Sequence, residues 1–422
     1  MKDVLESQSM PFSSGEPPRR VAGEAGWRRW FYGFINGIYF QRIRLIYPER
    51  LPKQRPVLYL GLHRNGAVDG FVYHQVLRNP VFMISTQLRK TWFARLFFHG
   101  IAVARTRDEG DRALNDVALR HCLEHLRGGG QLFVFPEGTS SLGPHHLPFK
   151  SGAVWLLLDY LESGGPPITV LPVGIHYECP CAFRARVEVV PGRPVCTELP
   201  ADTSRLERLK LIKRRIQEAL EEVGTNVSSE QYQETMQRLA YVATLGTSRS
   251  YFKSLKAFEQ TIPEEIRQAW SGLEPELRET KLWFHQSVPL FPTGPTGLYA
   301  LILLLMTPIV AAAVIINLPP FVAAWIAGRK FPDDRNVISL WKILVGVPLF
   351  ALWMIAVAVI LAVIGRFWWL AGYVAVTWLG LKSYYRFKKL AVAVHNASLY
   401  PALQPRMLAL HQTVLGSLPG ER

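Results

Sequence analysis

His63 and Asp69 lie six positions apart in the stretch "HRNGAVDG", directly after the apolar run "VLYLGL". An imidazole titrates near neutral pH, so it is well suited to take a proton from a hydroxyl group. A carboxylate on its other ring nitrogen fixes the tautomer and stabilises the imidazolium that forms. Between them, Asn65-Gly66 is a turn dipeptide, and Gly66 can take a positive φ at little cost. The expectation is a loop with His63 at a strand end, Asp69 at a helix start and Gly66 outside any helix. That geometry would bring the two side chains within hydrogen-bond reach. Asp69 is also a good helix N-cap residue.

Three further stretches carry polar chemistry after apolar runs. "GIAVAR" ends in Arg105. "FPEGTS", residues 135–140, is followed by "LPFKSGA" with Lys150. "VLPVGIHY" is centred on Pro172, expected to shape a strand end. Gly138 lets backbone approach a ligand closely. A helix starting near Ser151 would offer free N–H groups beside Lys150. No Gly-x-Ser-x-Gly nucleophile elbow occurs.

In this order, each after a strand, the four stretches resemble the phospholipid/glycerol acyltransferase family over roughly Pro56 to Val195. "FPEGTS" is the most specific of them. The resemblance implies acyl transfer from a thioester, acyl-CoA or acyl-ACP, to an alcohol. The acceptor hydroxyl would be the nucleophile, with His63 as base and Asp69 as its partner. No cofactor beyond that co-substrate is implied. Substrate binding falls to Arg105, Glu137, Gly138 and Thr139, with Asn65, Ser140 and Lys150 as further candidates. Two departures stand out. Five residues separate His63 from Asp69 where the family usually has four. Ser140 and Ser141 follow the threonine where many members carry an arginine. The acceptor therefore stays open among glycerol-3-phosphate, lysophosphatidate and a lyso-ornithine or related aminolipid. A lipid-binding scaffold that has lost the chemistry is the alternative of another class.

The elements that must position these residues are legible in the pattern. "VLYLGL", "VFMIS", "IAVAR", "QLFVF" and "ITVLPVGI" read as buried strands, with helical patterns between them. This alternation predicts an α/β domain over 56–200, a mixed, largely parallel sheet flanked by helices. Ligands on such sheets bind beyond the carboxyl ends of the strands.

Charge and hydropathy describe the remainder. The chain carries 48 Lys and Arg against 33 Asp and Glu, a net charge of +15, which points to an anionic partner. Long apolar runs in the last third favour a membrane over nucleic acid. Residues 297–318 and 343–365 are long enough to span, since a crossing takes about 20 apolar residues. Residues 367–381 are either a short third span or the return arm of a hairpin turning at Gly365-Arg366. Residues 382–422 read as a basic tail held on the cytoplasmic side with the active site. Residues 25–55 alternate aromatics with arginines and read as an amphipathic membrane-interface segment. Residues 201–290 are charged and helical, and 1–24 read as a disordered tail without an apolar leader. The apolar segments hold no Asp, Glu or Lys at mid-depth, which argues against a transporter.

Two metal-like patterns carry little weight. "HCLEH", His121–His125, lies in a helical pattern with no third ligand evident. "HYECPC" places His176, Cys179 and Cys181 too close together and lacks a second pair. The expected metal content is none.

Overall fold

The computed structural model describes residues 26–418 except 78, 90, 105–111 and 201. The expected tail over 1–24 and the candidate Arg105 lie outside the described residues. Strands β1 (Arg42–Leu45), β2 (Val57–Gly61), β3 (Val81–Ser85), β4 (Ile101–Val103), β5 (Gln131–Val134), β6 (Thr169–Tyr177) and β7 (Arg186–Pro191) form one sheet. Their order is β1-β7-β6-β2-β5-β3-β4. All neighbours are parallel except β6 and β7. The sheet is therefore mixed and largely parallel.

Strand alternation splits the interior into two layers. Val57, Tyr59 and Phe133 pack against helices α1 (Gly26–Tyr39), α2 (Val68–Val76) and α3 (Trp92–Phe97). Leu58, Leu60, Leu132 and Val134 face α4 (Arg112–Arg127), α5 (Gly152–Glu162) and α6 (Arg205–Val223). Burial on both faces explains why these strands read as continuous apolar runs. Pro172 sits inside β6, paired with Leu60, and not at a strand end. The position tolerates proline because pairing with β7 begins only at Val173.

The single interfacial segment expected over 25–55 is divided. Helix α1 buries Tyr32, Ile35, Asn36 and Tyr39, and Arg42–Leu45 is an edge strand paired with β7. Arg44 lies 3.9 Å from Glu188. The Arg-Ile-Arg-Leu alternation is a strand period that the aromatic helix beside it obscured. Trp27 and Trp30 of α1 remain exposed.

The basic tail expected over 382–422 is ordered helix. Residues 367–381 open a 33-residue helix, α13 (Phe367–Leu399), followed by α14 (Leu403–Ser417). Leu403, Met407, Leu410 and Val414 recur at helical spacing and close a third core. That core is shared with α7 (Glu230–Ala243), α8 (Tyr251–Phe258) and α9 (Glu264–Glu279). Arg406 is the one charged residue of α14, so the basic character expected over 382–422 belongs mainly to α13.

Helix α10 (Thr296–Ile316) packs along α13 and α11 (Leu318–Lys330) packs along α12 (Ile338–Val363), and the chain turns from α12 into α13 at Gly365. Two helical stretches, Thr296–Ile316 and Arg335–Val363, are long and apolar enough to cross a membrane by length and composition. Only 11% and 17% of an 18-residue apolar segment within each are buried, unlike core helices. Trp353 Nε1 of α12 donates to Ile316 O at 2.8 Å, which levels the α10–α11 turn with Trp353. Ten more residues of α12 follow, so the α12–α13 turn projects roughly 15 Å further, at 1.5 Å per residue.

Candidate active site

The carboxyl ends of the neighbouring parallel strands β2 and β5 lead into the loops carrying His63 and Glu137. His63 Nδ1 lies 2.9 Å from Asp69 Oδ2. Asp69 is fully buried in the first turn of α2. The same Oδ2 accepts the backbone N–H groups of Arg64 at 2.6 Å and Asn65 at 2.9 Å, and Oδ1 accepts the Tyr177 hydroxyl at 2.6 Å. Four donors thus converge on one carboxylate and leave it little freedom to turn. Gly66 makes the loop possible: its φ is +55°, and an added Cβ would meet Asn336 O at 3.0 Å. The extra residue between His63 and Asp69 is absorbed there, outside the helix.

The imidazole is held in plane by stacking on Phe135, with ring centroids 4.1 Å apart. With Nδ1 committed to Asp69, the other nitrogen, Nε2, makes no hydrogen bond among the described residues and is not sealed among the buried polar atoms. This is the geometry of a general base with its tautomer fixed and its working nitrogen open.

Glu137 is 1% exposed, and its position differs from that of an open ligand-binding group. Oε1 accepts His63 N–H at 2.8 Å and Oε2 accepts Leu147 N–H at 3.1 Å. Burial raises its pKa, against the lowering effect of those two bonds and of Arg64. In this conformation it positions the His63 backbone. Asn65 is likewise fully buried and donates from its amide to Pro180 O at 3.0 Å, so it clamps the loop. Gly138 has φ +72°, and the Lys150 side chain lies directly over it. Lys150 is exposed, and Thr139 and Ser140 are half-buried. The loops that carry these residues are joined where Ser141 N–H donates to His63 O at 3.1 Å.

Residues 42–176 match a family model described as Acyltransferase. Over this stretch, about a third of the chain, the sequence is similar to acyltransferase domains. The chain is 26% identical over 274 residues to "Glycerol-3-phosphate O-acyltransferase 2" of Saccharomyces cerevisiae, a match covering 59% of this chain and 37% of that protein. The chain therefore spans little more than a third of that relative's length. Among solved structures, it is similar to the 1-acyl-sn-glycerophosphate (LPA) acyltransferase PlsC of Thermotoga maritima. The match has 23% identity and a TM-score of 0.33, and covers 46% of this chain and 80% of that one.

Four residues around this site escaped sequence reasoning. Arg64 is 9% exposed, donates to Gly143 O at 2.8 Å and places a cation near both Glu137 and Asp69. Burial lowers its pKa and those two carboxylates oppose the shift. Its place between His63 and Asn65 was the available signal. Tyr177, from the end of β6, and Phe135, the residue before "PEGTS", adjoin recognisable stretches. Asn336 had no signal. From the turn before α12, nearly 200 residues away, its amide donates to Ser140 O at 2.9 Å and to Ser140 Oγ at 3.1 Å.

Among the described residues, no group of three or more His, Cys, Asp or Glu is arranged to hold a metal. The His125 ring is taken up by Gln131 O, and the His176 ring by Val223 O.

Proposed function

We propose that the chain transfers a fatty acyl group from acyl-CoA or acyl-ACP to a hydroxyl of glycerol-3-phosphate, in phosphatidic acid and phospholipid biosynthesis. The observation that carries this reading is the His63–Asp69 pair, 2.9 Å apart with Nε2 open, inside the stretch similar to acyltransferase domains. His63 Nε2 takes the hydroxyl proton as the acceptor oxygen attacks the thioester carbonyl. The tetrahedral intermediate then collapses, the C–S bond breaks, and the imidazolium returns its proton to the leaving thiolate. Asp69 keeps Nδ1 protonated and stabilises the transient imidazolium. Lys150, lying over Gly138, supplies an exposed cation for the acceptor phosphate. The glycerol-3-phosphate reading draws support from the yeast relative's name.

The exposed apolar faces of α10, α12 and α13 support insertion into a membrane, with the α/β domain on its cytoplasmic face. An insoluble product then stays in the bilayer while the thioester donor arrives from solution. A lysophospholipid or lyso-ornithine lipid is the second acceptor reading. It is favoured by Ser140 in the place of an arginine and by the contact between Ser140 and the turn that starts α12.

The deciding experiment supplies purified protein with labelled acyl-CoA and compares glycerol-3-phosphate with 1-acylglycerol-3-phosphate. We expect kcat/KM to favour glycerol-3-phosphate by about tenfold or more, within the range one pocket can deliver. The reverse preference moves the acceptor to a lysolipid. No transfer to either, or to lyso-ornithine lipid, from acyl-CoA or acyl-ACP, removes the enzyme reading.

A further inference from the structure

A large cavity lies away from His63. A groove of about 980 Å³ lies between α10, α13, α14 and the end of α7, and none of His63, Asp69, Glu137 or Lys150 lines it. Its walls are apolar, including Leu298, Ile302 and Met306 of α10 and Trp378 of α13. Its formal charge is all of one sign. Lys382, Arg386 and Lys389 line it from one stretch of α13, and no Asp or Glu does.

These three cations make no salt bridge or hydrogen bond to any described residue. Lys389 lies instead 6.0 Å and 5.9 Å from the ring centroids of Tyr241 and Tyr385. Burial, with Arg186 nearby, pulls Lys389 down to about 8, opposed by Glu178. An anion in the groove would offset both effects. The occupant must also be apolar along most of its length. From Phe367 to Leu381 α13 has no charged residue, and the cations begin at Lys382. Gly380 packs on Ala313, so the three cations stand beside the apolar first half of α10 that lines the same groove, a juxtaposition that suits an amphipathic anion. The outer flank of α10 beside it, Leu301, Leu304 and Leu305, is exposed.

We propose that this groove is a second, non-catalytic lipid site that takes an anionic phospholipid from the bilayer, its phosphate on Lys382, Arg386 and Lys389 and its chains along α10 and Trp378. The inference rests on the membrane placement proposed above and not on the chemistry at His63. It gives the enzyme a site for lipids of the kind whose synthesis it serves.

The test uses the full chain purified in detergent, with retained lipid read by native mass spectrometry against phosphatidylglycerol, phosphatidylcholine and acyl-CoA. Phosphatidylglycerol should be held in preference to phosphatidylcholine. K382Q and R386Q should each weaken it about fivefold, the contribution of one cation near a lipid surface. Met306→Trp, which fills the groove, should weaken every lipid there, and His63→Ala should weaken none. Equal retention of phosphatidylcholine, or unchanged retention in the K382Q/R386Q double variant with native melting, overturns the proposal. Displacement by acyl-CoA as readily as by phosphatidylglycerol also overturns it, because the groove would then belong to the donor. Flotation with uncharged vesicles reports on membrane insertion separately, so failure of that reading is distinguished from failure of this one.

Discussion

The loop after β2 and the turn between α12 and α13 use the same local device in opposite surroundings. Each reverses the chain through a glycine at positive φ, Gly66 at +55° and Gly365 at +69°. At Gly66 the loop is roofed by Asn336, and its amides are bound by Asp69. At Gly365 the flanking side chains are open, with Trp368 90% exposed. One turn is finished by the protein's own polar groups; the other leaves apolar side chains exposed. Backbone conformation does not distinguish a loop tied into the domain from an open turn between helices. What surrounds each turn does.

Breaking the first region should cost chemistry before stability. His63→Ala should lower kcat by about 10⁴-fold with a smaller loss of melting temperature, because three donors to Asp69 remain after the ring and its stacking on Phe135 are removed. Asp69→Asn should lower kcat by about 10³- to 10⁴-fold and also lower the melting temperature. The amide presents the wrong tautomer to His63 and meets donors where the carboxylate accepted them. A rate within tenfold of the wild type in either variant would falsify the proton-transfer roles.

Breaking the second region should cost membrane binding without chemistry. The W368S/W369S variant should lose about 10²-fold in vesicle partitioning, from roughly 1.5 kcal/mol or more per aromatic side chain removed from lipid. Its turnover in detergent should match the wild type. Unchanged partitioning would place the α12–α13 turn outside the bilayer.

The smaller effects sharpen the contrast. Gly66→Ala should destabilise the fold by about 1–2 kcal/mol, the cost of a left-handed conformation for a residue with a Cβ, as measured by denaturant unfolding. Gly365→Ala, in the open turn, meets nothing within 4 Å and should carry only the backbone part of that cost. Glu137 gives the last test. Its folded pKa is raised by burial, so the folded state holds that proton more tightly than the unfolded state. Its contribution to stability is fully present below the unfolded value of about 4.3 and is lost as pH rises through the folded value. The stability difference between wild type and Glu137→Gln, followed by unfolding at successive pH values, should therefore fall across that window. A difference that rises with pH would mean that the hydrogen bonds from His63 and Leu147 outweigh burial.

Much of the catalytic domain was legible because its signals are local. Periodicity marked β2, β3, β4, β5 and β6, and the turn chemistry of Asn65-Gly66 predicted the loop. Edge strand β1 was missed because four residues of Arg-Ile-Arg-Leu sit beside an aromatic-rich helix. Helix α14 was read as part of a basic tail because its buried face forms only against α7 and α9. Sequence places Glu137 and Asn65 at the substrate; in this structure the Glu137 carboxylate accepts the His63 and Leu147 amides and the Asn65 amide nitrogen donates to Pro180. Residue type and motif identify a polar group near a site. They do not say whether it faces ligand or backbone.

Sequence alone determined the α/β pattern, the pairing of His63 with Asp69, and the apolar lengths of α10 and α12. Each follows from spacing within a few turns of chain or from composition along one segment. Only the tertiary structure decided that Asp69 gathers four donors, that Asn336 roofs the loop, and that Lys382, Arg386 and Lys389 share a groove without a carboxylate. Those facts depend on distances between groups many residues apart, which are set when the sheet, the helical core and helices α10 to α13 pack together.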